Sequence, residues 1–197
     1  MELSKLLRTA VVTTTFMMAS AASHALLLEP GNADFDGNDG AGGPYGPSTC
    51  EVDCINDLFG TSFIGNDNLL YKVEYDGGAE EGSFTGSYNM SWSLDDGEPS
   101  GGTLSWVADT AYIECGECYV AVKDGNNDPR YYFYDISTLW DGQEDLVFSN
   151  FWSNGPGAIS HISIWGVSAV EVPEPGTLGL LGLGLLGLAY SRKRKAS

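Results

Sequence analysis

The chain has 197 residues and carries 27 Asp and Glu against nine Lys and Arg, a formal charge of −18. The cations cluster at the two ends: setting aside Glu2 and Glu174 leaves 25 acids between residues 26 and 172, opposed there only by Lys72, Lys123 and Arg130, a net −22. A field of that sign repels phosphodiester backbones and anionic lipid, and excludes nucleic-acid binding as a function.

The N-terminus reads as an export signal. Lys5 and Arg8 precede a modestly apolar stretch over residues 9–22, and Ser23-His24-Ala25 supply small residues at the two positions that a signal peptidase reads. Cleavage is expected after Ala25. Three consecutive threonines, Thr13 to Thr15, make the segment weak and short for a permanent span.

Residues 26–68 form an acidic, Gly- and Pro-rich region. Between residues 29 and 68, 22 of 40 residues are Gly, Pro, Asp or Asn, which favour turns over regular elements. Leu58, Phe59, Phe63 and Ile64 offer an apolar cluster that docks on the following domain. Within this region Asp34, Asp36 and Asn38 space oxygen ligands as the first half of an EF-hand does, and with Asp39 they are candidates for calcium. Asp39 stands where the EF-hand needs glycine and Tyr45 where it needs a bidentate acid, so the loop is no EF-hand; a solvated acidic loop is the competing reading.

From residue 69 the apolar period is two. Residues 69–75 alternate apolar with mostly polar, and residues 88–94 do so throughout, the mark of half-buried strands. Further strands are expected over 103–108, 119–123, 130–136, 146–151 and 159–170, the last with a break at Gly166. Asp-Gly turns at 76–77, 96–97, 124–125 and 141–142 punctuate them with residues that tolerate positive φ. No sustained 3.6-residue pattern is found outside the terminal signals. Residues 69–171 are therefore expected to form an all-β domain, an antiparallel β-sandwich, with a small β-barrel as the alternative.

Four cysteines come in two close pairs, Cys50 with Cys54 and Cys115 with Cys118. In an exported chain disulfides are the default. Of three connectivities the local pairs are preferred, each closing a small loop. A four-cysteine zinc site competes with periplasmic oxidation. A redox role for the Cys-x-x-Cys motif is opposed by Glu114 and Glu117, which would raise the thiol pKa.

Trp92 and Trp106 fall on strand faces shared with Met90, Leu94 and Leu104 and are read as core. Trp140, Trp152 and Trp165 sit beside turns or polar strand neighbours and are candidates for stacking on sugar rings, with nearby carboxylates accepting hydroxyl hydrogen bonds. After signal removal His161 is the one histidine left, expected to point outward opposite Ile162 and Ile164. No nucleophile elbow, phosphate loop or distinguished carboxylate pair is present, so no enzyme is expected.

The C-terminus carries the strongest motif. Val172-Pro173-Glu174-Pro175 is followed by a glycine-laced apolar run over residues 177–190 and then by Arg192-Lys193-Arg194-Lys195. As a helix these 14 residues span about 21 Å, short against a hydrocarbon core of roughly 30 Å. The basic cluster stays cytoplasmic by the positive-inside rule, which puts everything before Pro173 outside. Residues 172–197 resemble the PEP-CTERM sorting signal of Gram-negative bacteria. That resemblance implies transient anchoring in the inner membrane, recognition by an exosortase, removal of the tail, and delivery to the surface or matrix of cells that make exopolysaccharide and biofilm. The expected protein is a secreted, non-enzymatic sandwich, structural or adhesive within exopolysaccharide; the alternative is a calcium-assisted carbohydrate-binding module.

Overall fold

The computed structural model describes residues 25–37, 50–125, 127–153 and 155–168. The export signal, Asn38 and Asp39, and the whole sorting signal from Val172 to Lys195 lie outside the described residues. Among the described residues nine strands build two sheets: β1 (Leu26–Leu28), β2 (Phe35–Asp36), β3 (Leu69–Glu74), β4 (Tyr88–Asp95), β5 (Glu98–Trp106), β6 (Cys115–Asp124), β7 (Tyr131–Asp135), β8 (Leu146–Phe148) and β9 (Ile159–Ser168). The orders are β1-β8-β5-β4 and β2-β7-β6-β9-β3. The sheets do not close on one another, so the sandwich holds and the barrel does not.

All seven strands expected from the period-two pattern are present. Their alternation fills the space between the sheets: Val120 and Val122, Tyr132 and Tyr134, and Ile162 and Ile164 face Leu104, Leu146 and Phe148 in one continuous core. Leu94 departs from the expectation and is 55% exposed. The register slips between Ser93 and Leu94 because β5 carries the extra residue, Ser100; Leu94 keeps the face of Met90 and Trp92 but lies next to last in β4, beside the hairpin, where little covers it. Gly166 does not break β9. A Cβ there would meet Glu117 O at 1.9 Å, so glycine lets β6 approach beside its own bulge.

The region before residue 69 contributes more than loops. β1 pairs in parallel with β8, an exception to the expected antiparallel order, and β2 pairs with β7 at the far edge of the other sheet. Residues Glu51–Phe59 form a helix, α1, where no helical pattern was expected. Two and a half turns are too few to register as a sustained period, yet Val52, Ile55 and Phe59 share one side. Glu51 and Asp53 favour the positive end of its dipole, and Gly60 ends it in the left-handed region, φ 70°.

α1 lies on the outer face of the five-stranded sheet and makes a second core there. Ile55, Phe63 and Leu69 are buried with Tyr119, Ala121, Tyr131, Phe133 and Trp165, and Leu58 and Phe59 pack against them. Phe59 meets Tyr119 at 4.5 Å between ring centroids and Phe35 of β2 at 5.2 Å. Asn56 fastens the chain after the helix by donating to Phe63 O and accepting from Phe63 N and Thr61 Oγ1. Ile64, expected to dock with its neighbours, is 75% exposed.

Candidate functional site: an acidic cleft at one end of the sandwich

The turn between β6 and β7 and the segment entering β9 meet at the end of the sandwich where the β4–β5 hairpin also turns. Asp124, at the end of β6, is 1% exposed. Its Oδ1 accepts from Asn127 N at 2.6 Å and Asn127 Nδ2 at 3.2 Å, and its Oδ2 accepts from Ala158 N at 2.6 Å. The carboxylate thus pins two loops together, satisfied by donors that hold its charge in place. Gly157 makes this closeness possible: a Cβ there would lie 2.7 Å from Trp152 Cδ1 and 2.9 Å from Asp124 Oδ2.

Two adjoining hollows open here and share Glu98 and Gly157. One, of about 470 Å³, is lined by Tyr75, Asp76, Glu98, Asp124, Asn127 and Ser160. The other, of about 210 Å³, is lined by Asp95, Asp96, Glu98, Ser100 and Trp152. No lysine or arginine is among the described residues of either wall. Trp152 is half-buried, packed against Tyr132 at 5.2 Å, with Nε1 donating to Pro129 O at 3.1 Å. An aromatic rim beside a row of hydroxyl-accepting carboxylates is chemistry suited to a neutral, hydroxyl-rich ligand.

The other two candidate tryptophans are placed differently. Trp140 is 3% exposed and donates Nε1–H to Glu144 O at 2.7 Å; Trp165 is 4% exposed and donates to Ser163 Oγ at 2.9 Å. Neither offers a ring face to solvent, because the turn beside Trp140 folds back over it and α1 covers Trp165. The missed helix is the physical reason for the second. Trp92 and Trp106 line the core from its rim, half-buried.

His161 is likewise corrected. It does leave the sheet opposite Ile162 and Ile164, but that face is roofed by α1, and the ring is 5% exposed with Nε2 bonded to Glu51 Oε1. Ser163, fully buried, donates to Glu51 Oε2 at 3.5 Å, so serine and histidine share one carboxylate and do not bond to one another. Burial alone would raise the pKa of Glu51, but the His161 hydrogen bond and charge, with Lys72 and Lys123 behind them, outweigh burial and hold it below the ordinary carboxylate value.

Two of the four calcium candidates, Asp34 and Asp36, are among the described residues. Asp34 accepts from Asp135 N at 2.6 Å, closing the end of β7, and Asp36 lies on β2 two residues on. Among the described residues no group of three or more His, Cys, Asp or Glu side chains is placed to hold a metal ion. The cysteines form the two local disulfides, Cys50–Cys54 across the first turn of α1 and Cys115–Cys118 at the start of β6, which leaves none of the four thiolates to ligate zinc.

Residues 171–195 match the PEP-CTERM protein-sorting motif. The motif implies export, sorting by an exosortase and a cell-surface location. No curated protein and no solved structure matches the chain.

Proposed function

We propose that the exported chain is a non-catalytic sandwich of the cell surface or extracellular matrix of a biofilm-forming bacterium, with a structural or adhesive role. The observation that carries this reading is polarity along β9. The strand ends at Ser168, three residues before the matched motif, and begins at Ile159 on the wall of the acidic cleft. Ten strand residues span about 33 Å, whereas the five steps from Ser168 to Pro173 reach at most about 18 Å. While the tail is in the membrane, the short tether keeps the Ser168 end of the strand close to it and leaves the cleft end free to stand farther out.

The polar groups of the kind that serve catalysis are engaged internally. Asp124 is saturated by neighbouring donors, and His161, Ser163 and Glu51 bond beneath a helix. A second reading, a carbohydrate-binding module, is favoured by one observation: Trp152, unlike Trp140 and Trp165, borders the acidic cleft.

Cells lacking the chain, complemented with wild type or with Trp152→Ala, separate these readings through matrix cohesion and attachment. Loss restored by both supports a scaffold. Loss restored by wild type alone supports sugar contact through Trp152, and calorimetry of the exported protein against the matrix exopolysaccharide, with calcium and with chelator, then measures that contact. Unaltered cohesion and attachment in cells lacking the chain overturn the proposal.

A further inference from the structure

The edges of the two sheets are guarded unequally. β1 and β2 have three and two residues, and the outer edge of β3 is paired by the segment 81–84, which exchanges backbone hydrogen bonds with Lys72 and donates to Leu69 O and Leu70 O. β4 is different: eight residues long, at the end of its sheet, with no proline and no charge from Tyr88 to Leu94. Natural edge strands of this length carry lysine, proline or a covering segment against pairing with other chains.

The direction of its free groups follows from the ladder. Val107 N donates to Ser87 O, so Ser87, and by alternation Asn89, Ser91 and Ser93, turn their backbone groups toward β5. Met90 and Trp92 then direct N–H and C=O to the open side. Among the described residues none bonds to them there. The surroundings are as unusual as the edge. In a segment of charge −22, the four strands of this sheet carry only Asp95 and Glu98, both at one hairpin. Two copies that repel everywhere else can meet here.

We propose that β4 is a self-association edge, to which a second copy adds its own β4 antiparallel about a two-fold axis through Ser91, fusing two four-stranded sheets into one of eight strands. This register sets Met90 against Trp92 of the second copy in both directions, so the open backbone groups pair with one another and thioether meets indole. Leu94, exposed near the end of β4, comes opposite Tyr88 of the second copy, and Asp95 comes opposite Ser87. The two Asp95 side chains end about 27 Å apart along the strands, beyond the screening length of roughly 8 Å at physiological salt. The pairing does not depend on what the acidic cleft binds.

Sedimentation of the full exported protein, with wild type, Ser91→Glu and Ser91→Lys, tests this. Ser91 is exposed and faces itself across the axis at about 4.5 Å between Cα atoms. Wild type is expected to be dimeric, each charged variant monomeric with at least tenfold weaker association, and an equimolar mixture of the two dimeric again. Ser91→Cys is expected to cross-link two copies, and Asn89→Cys, which faces Ser93, is not. A monomeric wild type, dimers that survive Ser91→Glu, or failure of the mixture to restore dimers would overturn the proposal.

Discussion

Glu51→Ala tests whether α1 is held to the sheet by its polar contact as well as by its apolar side. The substitution deprives His161, 5% exposed, of its ring partner, and Ser163 Oγ of its acceptor. Deleting one member of a buried pair costs about 3–5 kcal/mol; the Glu51 side chain retains 16% exposure, so water reaches the vacated site and about 2–3 kcal/mol is expected. At about 2–4 °C per kcal/mol for a domain of this size, the melting midpoint falls by about 4–12 °C. The assay is urea denaturation of wild type, Glu51→Ala, His161→Phe and the double variant. Because an apolar pair can replace a buried polar one at little cost, Glu51→Ala should be far less damaging in the His161→Phe background. Equal losses in both backgrounds, or a loss under about 0.5 kcal/mol, would refute the coupling. The pH dependence has a definite sign. The folded pKa of Glu51 lies below the ordinary value of 4.5, so its contribution is complete above that value and disappears as pH falls through the folded pKa. Glu51→Ala should therefore flatten the acid limb of stability, below the ordinary carboxylate value.

Two further outcomes follow from single contacts. Tyr88, 1% exposed, accepts from Ile113 N at 2.8 Å and donates to Gly142 O at 2.9 Å; Tyr88→Phe leaves both groups buried and unpaired, and should cost about 2–4 kcal/mol by urea denaturation, a loss under about 1 kcal/mol being the contrary result. Replacing Pro173, Glu174 and Pro175 with alanine should leave the full-length precursor in the membrane fraction, seen as slower migration on an immunoblot, and unchanged processing would contradict the role of the motif.

The period of two made the sandwich legible because strands buried on one face write their pairing directly into the alternation of residues such as Tyr88, Met90 and Trp92. It could not reveal the second layer on the five-stranded sheet. β6, β7 and β9 are buried on both faces, and Tyr119, Tyr131 and Trp165 resemble outward-facing aromatics until a helix is known to cover them. That helix is nine residues long and sits among turn formers; its signals were local, the apolar spacing of Val52, Ile55 and Phe59 and the glycine that ends it. The same blind spot misplaced His161 and Trp165. For the cleft, Trp152 was visible as an aromatic near a turn, but the acids that accompany it, Asp76, Asp95, Asp96 and Glu98, come from other turns of the chain and converge only through the sheet topology.

Tethering and self-association impose opposite geometries on the sandwich. Two copies anchored in one membrane both leave it from the Ser168 end of β9, so their β4 strands run in the same sense. With β9 standing out from the membrane, antiparallel pairing about Ser91 needs one copy inverted, which the reach of about 18 Å between Ser168 and Pro173 opposes. Cleavage of the tail then becomes the step that permits pairing. In the released dimer the β4–β5 hairpins lie at opposite ends of the shared strand pair, and each carries Asp95, Asp96 and Glu98 into its own cleft. On the proposed reading of the cleft as a sugar contact, one dimer would present two binding poles facing apart, an arrangement suited to bridging neighbouring matrix strands where a monomer would only coat one. The alanine variant of residues 173–175 joins the two ideas: held in the membrane, it should remain unpaired, and Ser91→Cys placed in that variant should give no cross-link although the same cysteine cross-links the released chain. A cross-link in the retained form would show that β4 meets its partner in another register or direction.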